Sequence, residues 1–192
     1  MTRVDPLVAA VFLLVAFTLA GAAQTAWFAR PLARAFAVPL DGGWRFRGRL
    51  LFGANKTVRG FVVMVPAAAG AFALLAALAQ DAAHAWLWPI SLGSYAWLGA
   101  WAGFGFMAGE LPNSFLKRQL EIAPGAAPGD RMAATAHFML DRLDSGIGML
   151  VALSLAVEVP WLTWAYVLLA GPFIHWSFSL VMFRLGLKQR AA

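Results

Sequence analysis

The sequence predicts an all-α integral membrane protein of about five transmembrane helices, with a polar site at their cytoplasmic ends. Of the 192 residues, 61% are hydrophobic and only 12% are charged, and the mean hydropathy is +0.71. A soluble domain of this length needs a larger charged surface, so a soluble fold is excluded. The length fits a single domain, residues 1–192. The absence of cysteine excludes disulfides, thiolate metal sites and thiol nucleophiles.

Five stretches are long enough to cross a bilayer, which takes about 20 mostly apolar residues. They are Leu7–Phe28, Phe61–Gln80, Ile90–Gly109, Phe138–Val157 and Trp164–Phe183. The first stretch also resembles a signal peptide, with Arg3 as its charge and Ala20–Ala23 as the small-residue cleavage region. The strongly basic segment that follows would resist export, which favours a transmembrane helix.

Lysine and arginine positions predict the orientation. All of the 15 basic residues except Arg3 and Arg142 lie in the first and third loops or in the C-terminal tail. The loops at Asp81–Pro89 and Glu158–Thr163 have none, and tryptophans cluster beside them: Trp86, Trp88, Trp161 and Trp164. Basic loops stay in the cytoplasm. We therefore expect a plasma (inner) membrane protein with its N-terminus outside and its C-terminus and polar site inside. Basic residues placed between apolar runs do not indicate nucleic-acid binding.

The first cytoplasmic loop contains a glycine-rich, cationic segment. It reads Gly53-Ala-Asn-Lys56-Thr57-Val-Arg59-Gly60 and follows Pro39-Leu-Asp41-Gly42-Gly43. Glycine backbone N–H groups approach phosphate closely, and Lys56, Thr57 and Arg59 would add further hydrogen bonds. The spacing of a Walker A loop is absent. A positively charged loop without a ligand explains this segment equally well.

The second cytoplasmic segment reads Gly109-Glu110-Leu-Pro112-Asn-Ser114-Phe-Leu-Lys117-Arg118. Proline is favoured in the first turn of a helix, so Pro112 predicts that a new helix begins here. Ser114, Lys117 and Arg118 would then share one face, which suits a triphosphate or a lipid phosphate. The alternative is a pair of snorkelling basic residues at the membrane edge. Glycines in the adjacent spans predict close helix packing: Gly99, Gly103, Gly105, Gly109, Gly146 and Gly148.

Asp141-Arg142-Leu-Asp144 places two carboxylates one helical turn apart at the start of the fourth span. Acidic residues beside a long apolar run are costly unless they are paired or bind a metal. With Glu110 they form an oxygen-rich set suited to Mg²⁺, which is the interpretation we favour. The alternatives are an ion pair with Arg142 and capping of the helix N-terminus. His175, in the last span, is expected to form interhelical hydrogen bonds.

Taken in order, these segments resemble the CDP-archaeol synthase family, relatives of phosphatidate cytidylyltransferase. The family pattern runs Lys-Thr-x-Arg-Gly, Gly-Asp-Leu-x-x-Ser-Phe-x-Lys-Arg, Asp-x-x-Asp, and a His before Gly-Leu-Lys. The matching segments here are Lys56–Gly60, Gly109–Arg118, Asp141–Asp144, and His175 ahead of Gly186-Leu187-Lys188. The departures bear on lipid specificity more than on the reaction. Glu110 replaces the usual Asp, Arg142 a frequent Gln, and Ser179 a usual Asn.

The resemblance implies cytidylyl transfer, in which CTP and a lipid phosphate give a CDP-lipid, of the CDP-archaeol or CDP-diacylglycerol type, and pyrophosphate. It assigns Asp141, Asp144 and Glu110 to Mg²⁺. It assigns Ser114, Lys117 and Arg118 to the phosphate oxygens. It also implies that Lys56, Thr57 and Arg59 close over the nucleotide or the lipid head. Asp141, Asp144 and Lys117 are the expected catalytic residues. The expected partners are CTP, the lipid phosphate and membrane lipids, with a homodimer left open.

Two other classes of protein remain as alternatives. A transporter would place its polar residues near the bilayer midplane between repeats, whereas here they lie at helix ends and no repeat is visible. A non-catalytic membrane scaffold would leave the carboxylates unexplained.

Overall fold

The computed structural model describes residues 4–80, 85–123 and 131–186, and these ranges are mostly helical. The long helices are α1 (Pro6–Phe28), α2 (Val58–Leu78), α3 (Leu92–Gln119), α4 (Arg131–Ala156) and α5 (Trp161–Arg184). Between α1 and α2 lie a 3-10 helix (Pro31–Phe36) and a small antiparallel hairpin of β1 (Arg45–Phe46) and β2 (Arg49–Leu50). The helical architecture agrees with the prediction, whereas the hairpin was not predicted.

Helices α1, α2 and α5 are long and apolar enough to cross a membrane. Helices α3 and α4 are at least as long. Their mean hydropathy is lower, because glycines interrupt α3 and the Asp141–Asp144 segment interrupts α4. Five spans and an external N-terminus therefore stay predictions.

Contacts between helix termini define one end of the bundle. Trp88 Nε1 donates a hydrogen bond to the Glu158 carbonyl at 2.8 Å, and Thr163 Oγ1 donates to the Pro6 carbonyl at 3.1 Å. The start of α1, the segment before α3 and the connection from α4 to α5 therefore meet. Consecutive helices run in opposite directions, so Lys56 and the C-terminal half of α3 lie at the other end.

Glycines bring α3 and α4 into backbone contact. A Cβ atom on Gly109 would lie 2.8 Å from the Cα of Gly148, and one on Gly148 would lie 2.9 Å from the Gly109 nitrogen. On the opposite side of α3, a Cβ on Gly103 would lie 3.0 Å from a carbonyl oxygen of α2. The predicted close packing is confirmed at these positions. Gly146 differs, since its Cβ would meet Leu168 at an ordinary 3.5 Å.

Two predicted helix boundaries are wrong. Helix α3 continues through Pro112, so no new helix begins there. Proline removes one N–H from the helical ladder, but the flanking turns are held in place, by glycine packing before Pro112 and by side-chain bonds to α4 after it. Helix α4 begins at Arg131, about three turns before Asp141. The alternative in which Asp141 and Asp144 cap this helix is therefore wrong as well.

Asp41 organises the loop between α1 and α2. Its carboxylate, 6% exposed, accepts backbone N–H groups from Gly43 at 3.1 Å, Phe52 at 2.9 Å and Gly53 at 3.0 Å. Burial alone would raise the pKa of Asp41, but the backbone hydrogen bonds outweigh it and hold the pKa below its ordinary value. A hydrogen bond of 2.8 Å from the Leu40 N–H to the Lys56 carbonyl joins the start of this loop to the segment just before α2.

Candidate active site

A cavity of about 1160 Å³ lies inside the bundle. All nine site residues predicted from the sequence line it: Lys56, Thr57, Arg59, Glu110, Ser114, Lys117, Arg118, Asp141 and Asp144. Segments far apart in sequence thus meet at one place. The cavity continues into an apolar part, lined by residues of α1 and α5 that include Leu13, Phe17 and Phe178.

Asn113 joins the two aspartates. Its Nδ2 donates to Asp141 Oδ1 at 2.6 Å and to Asp144 Oδ2 at 2.9 Å. Asn113 is only 6% exposed, and its Oδ1 has no hydrogen-bond partner within the described ranges. Asn113 was not predicted to be a site residue. Asn113 lies three residues after Glu110 and four before Lys117, so all three share one face of the helix. This spacing could have identified Asn113 as a site residue from the sequence.

Two lysines neutralise two of the three carboxylates. Lys117 forms an ion pair with Asp141, and Lys56 forms one with Glu110. The Lys117 and Glu110 side chains are only 15% and 19% exposed. Burial alone would lower the pKa of Lys56, but the Glu110 carboxylate outweighs it and raises the pKa above its ordinary value. Lys117, predicted to hold phosphate, therefore holds a predicted metal ligand in this structure.

Ser145 links the remaining carboxylate to Glu110. Its Oγ donates to Glu110 Oε1 at 2.8 Å and lies 3.3 Å from Asp144 Oδ1. The Ser145 N–H also bonds to Asp144 Oδ1 at 2.7 Å. Asp144 thus receives neutral donors only and forms no ion pair with any described residue. Ser145 was not singled out in the sequence, although it follows Asp144 directly.

Two arginines beside this cluster have buried N–H groups without a hydrogen-bond acceptor among the described residues. They are Nε and Nη1 of Arg118 and Nε of Arg59. The Arg59 guanidinium lies over the Phe28 ring, 4.5 Å from its centroid. Leaving such a donor unsatisfied is costly. Both arginines line the cavity and could donate to an anion there.

Arg142 makes its direct contacts with Phe138. Its Nη1 donates to the Phe138 carbonyl at 2.8 Å, and its guanidinium lies over the ring of the same residue. In the part of the chain that the structure describes, Arg142 forms no ion pair with Asp141 or Asp144. The alternative in which it forms an ion pair with one of them is therefore wrong.

The residues of this cluster have the donor chemistry that Mg²⁺ prefers. Three carboxylates and the Oδ1 of Asn113 supply hard oxygen ligands. As the side chains stand, no group of three or more His, Asp or Glu residues among those described is arranged to hold a metal ion. The ligand types fit Mg²⁺, but these side chains would have to rotate before three of them could surround one ion.

Histidines of two helices line the same cavity. His175 of α5 does so, while its expected interhelical hydrogen bond stays a prediction. His137 of α4 also lines it and was not predicted to be a site residue. Of the closing Gly-Leu-Lys motif, Gly186 is described, while Leu187 and Lys188 lie outside the described residues.

Comparison with known proteins gives concordant matches. A family model described as CarS-like, CDP-archaeol synthase, matches residues 8–191. The CDP-archaeol synthase of Halorubrum lacusprofundi is 32% identical over 160 residues, covering 79% of this chain and 82% of the relative. That of Methanosphaerula palustris is 31% identical over 170 residues, covering 85% and 96%. A solved structure, of an intramembrane enzyme for archaeal membrane lipids biosynthesis, superposes with a TM-score of 0.63 at 25% identity. That match covers 92% of this chain and 96% of the solved one.

Proposed function

Because the chain belongs to the CDP-archaeol synthase family, it is a membrane enzyme that transfers the cytidylyl group of CTP to a lipid phosphate, and we propose that the cavity described above is its active site. The products are a CDP-lipid and pyrophosphate. The observation that carries the site assignment is the convergence of the nine predicted residues on one cavity.

The chemistry requires charge neutralisation more than proton abstraction. A lipid phosphate oxygen attacks the α-phosphorus of CTP and pyrophosphate leaves, so nucleophile and leaving group are both anions. Alignment and electrostatic stabilisation are then the main contributions of the protein. We assign Arg118 and Arg59 to phosphate oxygens because their buried N–H groups lack acceptors. Thr57 and Ser114 line the same cavity and are assigned to the same ligand. The Ser114 hydroxyl donates to the Glu110 carbonyl at 2.8 Å, so it would have to rotate to donate to a phosphate.

We assign Asp141, Asp144 and Glu110 to a Mg²⁺ ion, with Asn113 as a further oxygen donor. When bound, Mg²⁺ would supply Lewis-acid neutralisation of the CTP phosphates. Support comes from the carboxylates that Asn113 and Ser145 hold together, and from Asp144, which forms no ion pair with any described residue. Lys117 and Lys56 keep this acidic cluster stable inside the bundle.

The lipid phosphate is assigned to the boundary between the two parts of the cavity. Its head would meet the arginines, and its tails would lie along Leu13, Phe17 and Phe178. The names of the relatives favour an archaeol-type lipid. Glu110 and Arg142 depart from the family pattern of Asp and Gln at these positions. Because of these departures, a diacylglycerol phosphate is the second candidate substrate.

We also propose five spans, an external N-terminus and a cytoplasmic site in the plasma membrane. The antiparallel helices put the Lys56 segment and the C-terminal half of α3 at one end, and basic loops remain in the cytoplasm. CTP is present on that side.

The test is a transfer assay with purified protein in Mg²⁺. CTP labelled at the α-phosphate is incubated with an isoprenoid diether glycerol phosphate, with diacylglycerol phosphate, or without lipid. We expect label in the lipid phase with one of the two lipid phosphates, whereas γ-labelled CTP should give labelled pyrophosphate only. Absence of α-label from the lipid phase with both substrates would contradict the proposed function.

A further inference from the structure

We propose that Lys117 and Lys56 are internal counter-ions that must leave their carboxylates before a divalent cation can bind, so that the cation binds tightly only together with CTP. This inference rests on the proposed function of the same cavity. It assigns Lys117 a positioning role that alternates between Asp141 and the nucleotide.

Lys117 occupies one of the two carboxylate oxygens of Asp141. Asp141 Oδ1 accepts both from Lys117 Nζ and from Asn113 Nδ2, the latter at 2.6 Å. Two donors on one carboxylate oxygen leave little room for a metal ligand bond. Coordination through Oδ1 therefore requires Lys117 to move away, and a cation bound to Oδ2 would lie beside the Lys117 ammonium group, which repels it.

Lys56 blocks Glu110 in the same way from the opposite side. Its Nζ contacts Glu110 Oε2, while the Ser145 hydroxyl bonds to Oε1. Both oxygens of Glu110 thus have donors already. Each of the two lysines comes from a different element, the loop before α2 and helix α3, so the two ion pairs can open independently.

A lysine that leaves its carboxylate needs another anion, because both lysines are mostly buried. An unpaired charge in such a place is strongly unfavourable. Lys117 shares its helix face with Ser114 and Arg118, where the phosphates are assigned, and its long stem can rotate between the two positions. The CTP phosphates are the anion within reach.

Binding of CTP and of the cation is then linked. CTP draws Lys117 away and frees Asp141, and a cation on Asp141 frees Lys117 for the phosphates. Such coupling is reciprocal and usually amounts to about 5- to 150-fold in affinity. The same ion pairs would keep divalent cations out of the site when no nucleotide is present.

The experiment measures Mn²⁺ binding to the purified full chain by electron paramagnetic resonance, without CTP. We expect weak binding by the wild type and binding at least about tenfold tighter in Lys117→Met, which removes the competing cation but keeps the length of the side chain. Lys117→Arg keeps a cation beside Asp141 and should bind as weakly as the wild type. Arg34→Met is the control, since it removes an exposed cation that does not line the cavity. It should leave CTP-independent Mn²⁺ binding unchanged.

Lys56→Met provides an independent variant and should also tighten Mn²⁺ binding. Unchanged or weaker Mn²⁺ binding in both lysine variants would overturn the counter-ion proposal, while CDP-lipid formation by the wild type would leave the proposed function intact. Tight CTP-independent Mn²⁺ binding by the wild type would also overturn it. If the wild type forms no CDP-lipid but the lysine variants bind Mn²⁺ more tightly, the proposed function fails and the counter-ion role stands.

Discussion

Replacing Gly148 with alanine tests whether the contact between α3 and α4 sets the geometry of the carboxylate cluster. A Cβ at this position would lie 2.5 Å from the Cα of Gly109 and 2.9 Å from its nitrogen, against an ordinary contact of 3.4–4 Å. Both neighbours are backbone atoms, so a side-chain rotation cannot make room. The helices must separate by at least about half an ångström, because protein interiors hold few voids that could absorb the methyl group.

The separation acts directly on the site. Asp144 lies one turn before Gly148, and Asn113 lies one turn after Gly109. A shift of that size lengthens the 2.9 Å bond between Asn113 and Asp144 beyond the usual limit of about 3.2 Å. Overpacking costs about 1–3 kcal/mol of stability, and a misplacement of about 1 Å costs on the order of 100-fold in rate.

The assay compares CDP-lipid formation and thermal unfolding in detergent for Gly148→Ala and Gly146→Ala. Gly146 lies on the same helix, but its Cβ would meet only the Leu168 side chain at 3.5 Å. We expect Gly148→Ala to lose at least about tenfold in turnover and to unfold at a lower temperature, while Gly146→Ala behaves like the wild type. Wild-type turnover in Gly148→Ala would refute the reasoning.

Three further predictions concern the orientation, the loop and the phosphates. In intact cells, an impermeant thiol reagent should label Trp161→Cys but not Trp44→Cys, two positions that are 75% and 76% exposed at opposite ends of the bundle; the reverse would contradict an external N-terminus. Asp41→Asn should cost roughly 1–3 kcal/mol of stability at neutral pH. Because the folded pKa of Asp41 is lowered, its contribution is present above the unfolded pKa and is lost as the pH falls through the folded pKa, so the melting temperatures of variant and wild type should converge in acid. Arg118→Ala should lower turnover at least tenfold, since a hydrogen bond to a charged group contributes about 1.5–3 kcal/mol, with membrane insertion retained. Wild-type turnover would make Arg118 an ordinary cytoplasmic basic residue.

Local spacing explains why so much of the site could be predicted from the sequence. Ser114, Lys117 and Arg118 share a face through the helical period alone, and that holds whether the helix begins at Pro112 or passes through it. The aspartates at positions 141 and 144 follow the same rule. Each expected role depended on residue type and spacing, and the cavity contains all of these residues.

Tertiary contacts explain what the sequence could not predict. The pairing of Lys117 with Asp141 depends on how α3 and α4 cross, and hydrophobic patterning does not specify that crossing. The early start of α4 was missed because its first turns lack the apolar run on which the span prediction relied. The hairpin depends on left-handed backbone at Arg47 and Gly48, where φ is 51° and 79°. Glycine adopts this conformation readily and so indicates it in a sequence, whereas an arginine does not.

The most direct test of the proposed metal-dependent active site is CDP-lipid formation by Asp141→Asn and Asp144→Asn in Mg²⁺. Each change keeps the size of the side chain and removes the charge assigned to the metal. Glu158→Gln is the matched control, because it removes a carboxylate from the opposite end of the bundle. We expect both aspartate variants to fold and to insert into the membrane but to form no detectable CDP-lipid. The wild type in excess EDTA should also form none, while Glu158→Gln should keep wild-type activity. CDP-lipid formation at near wild-type rates by either aspartate variant would contradict the metal assignment.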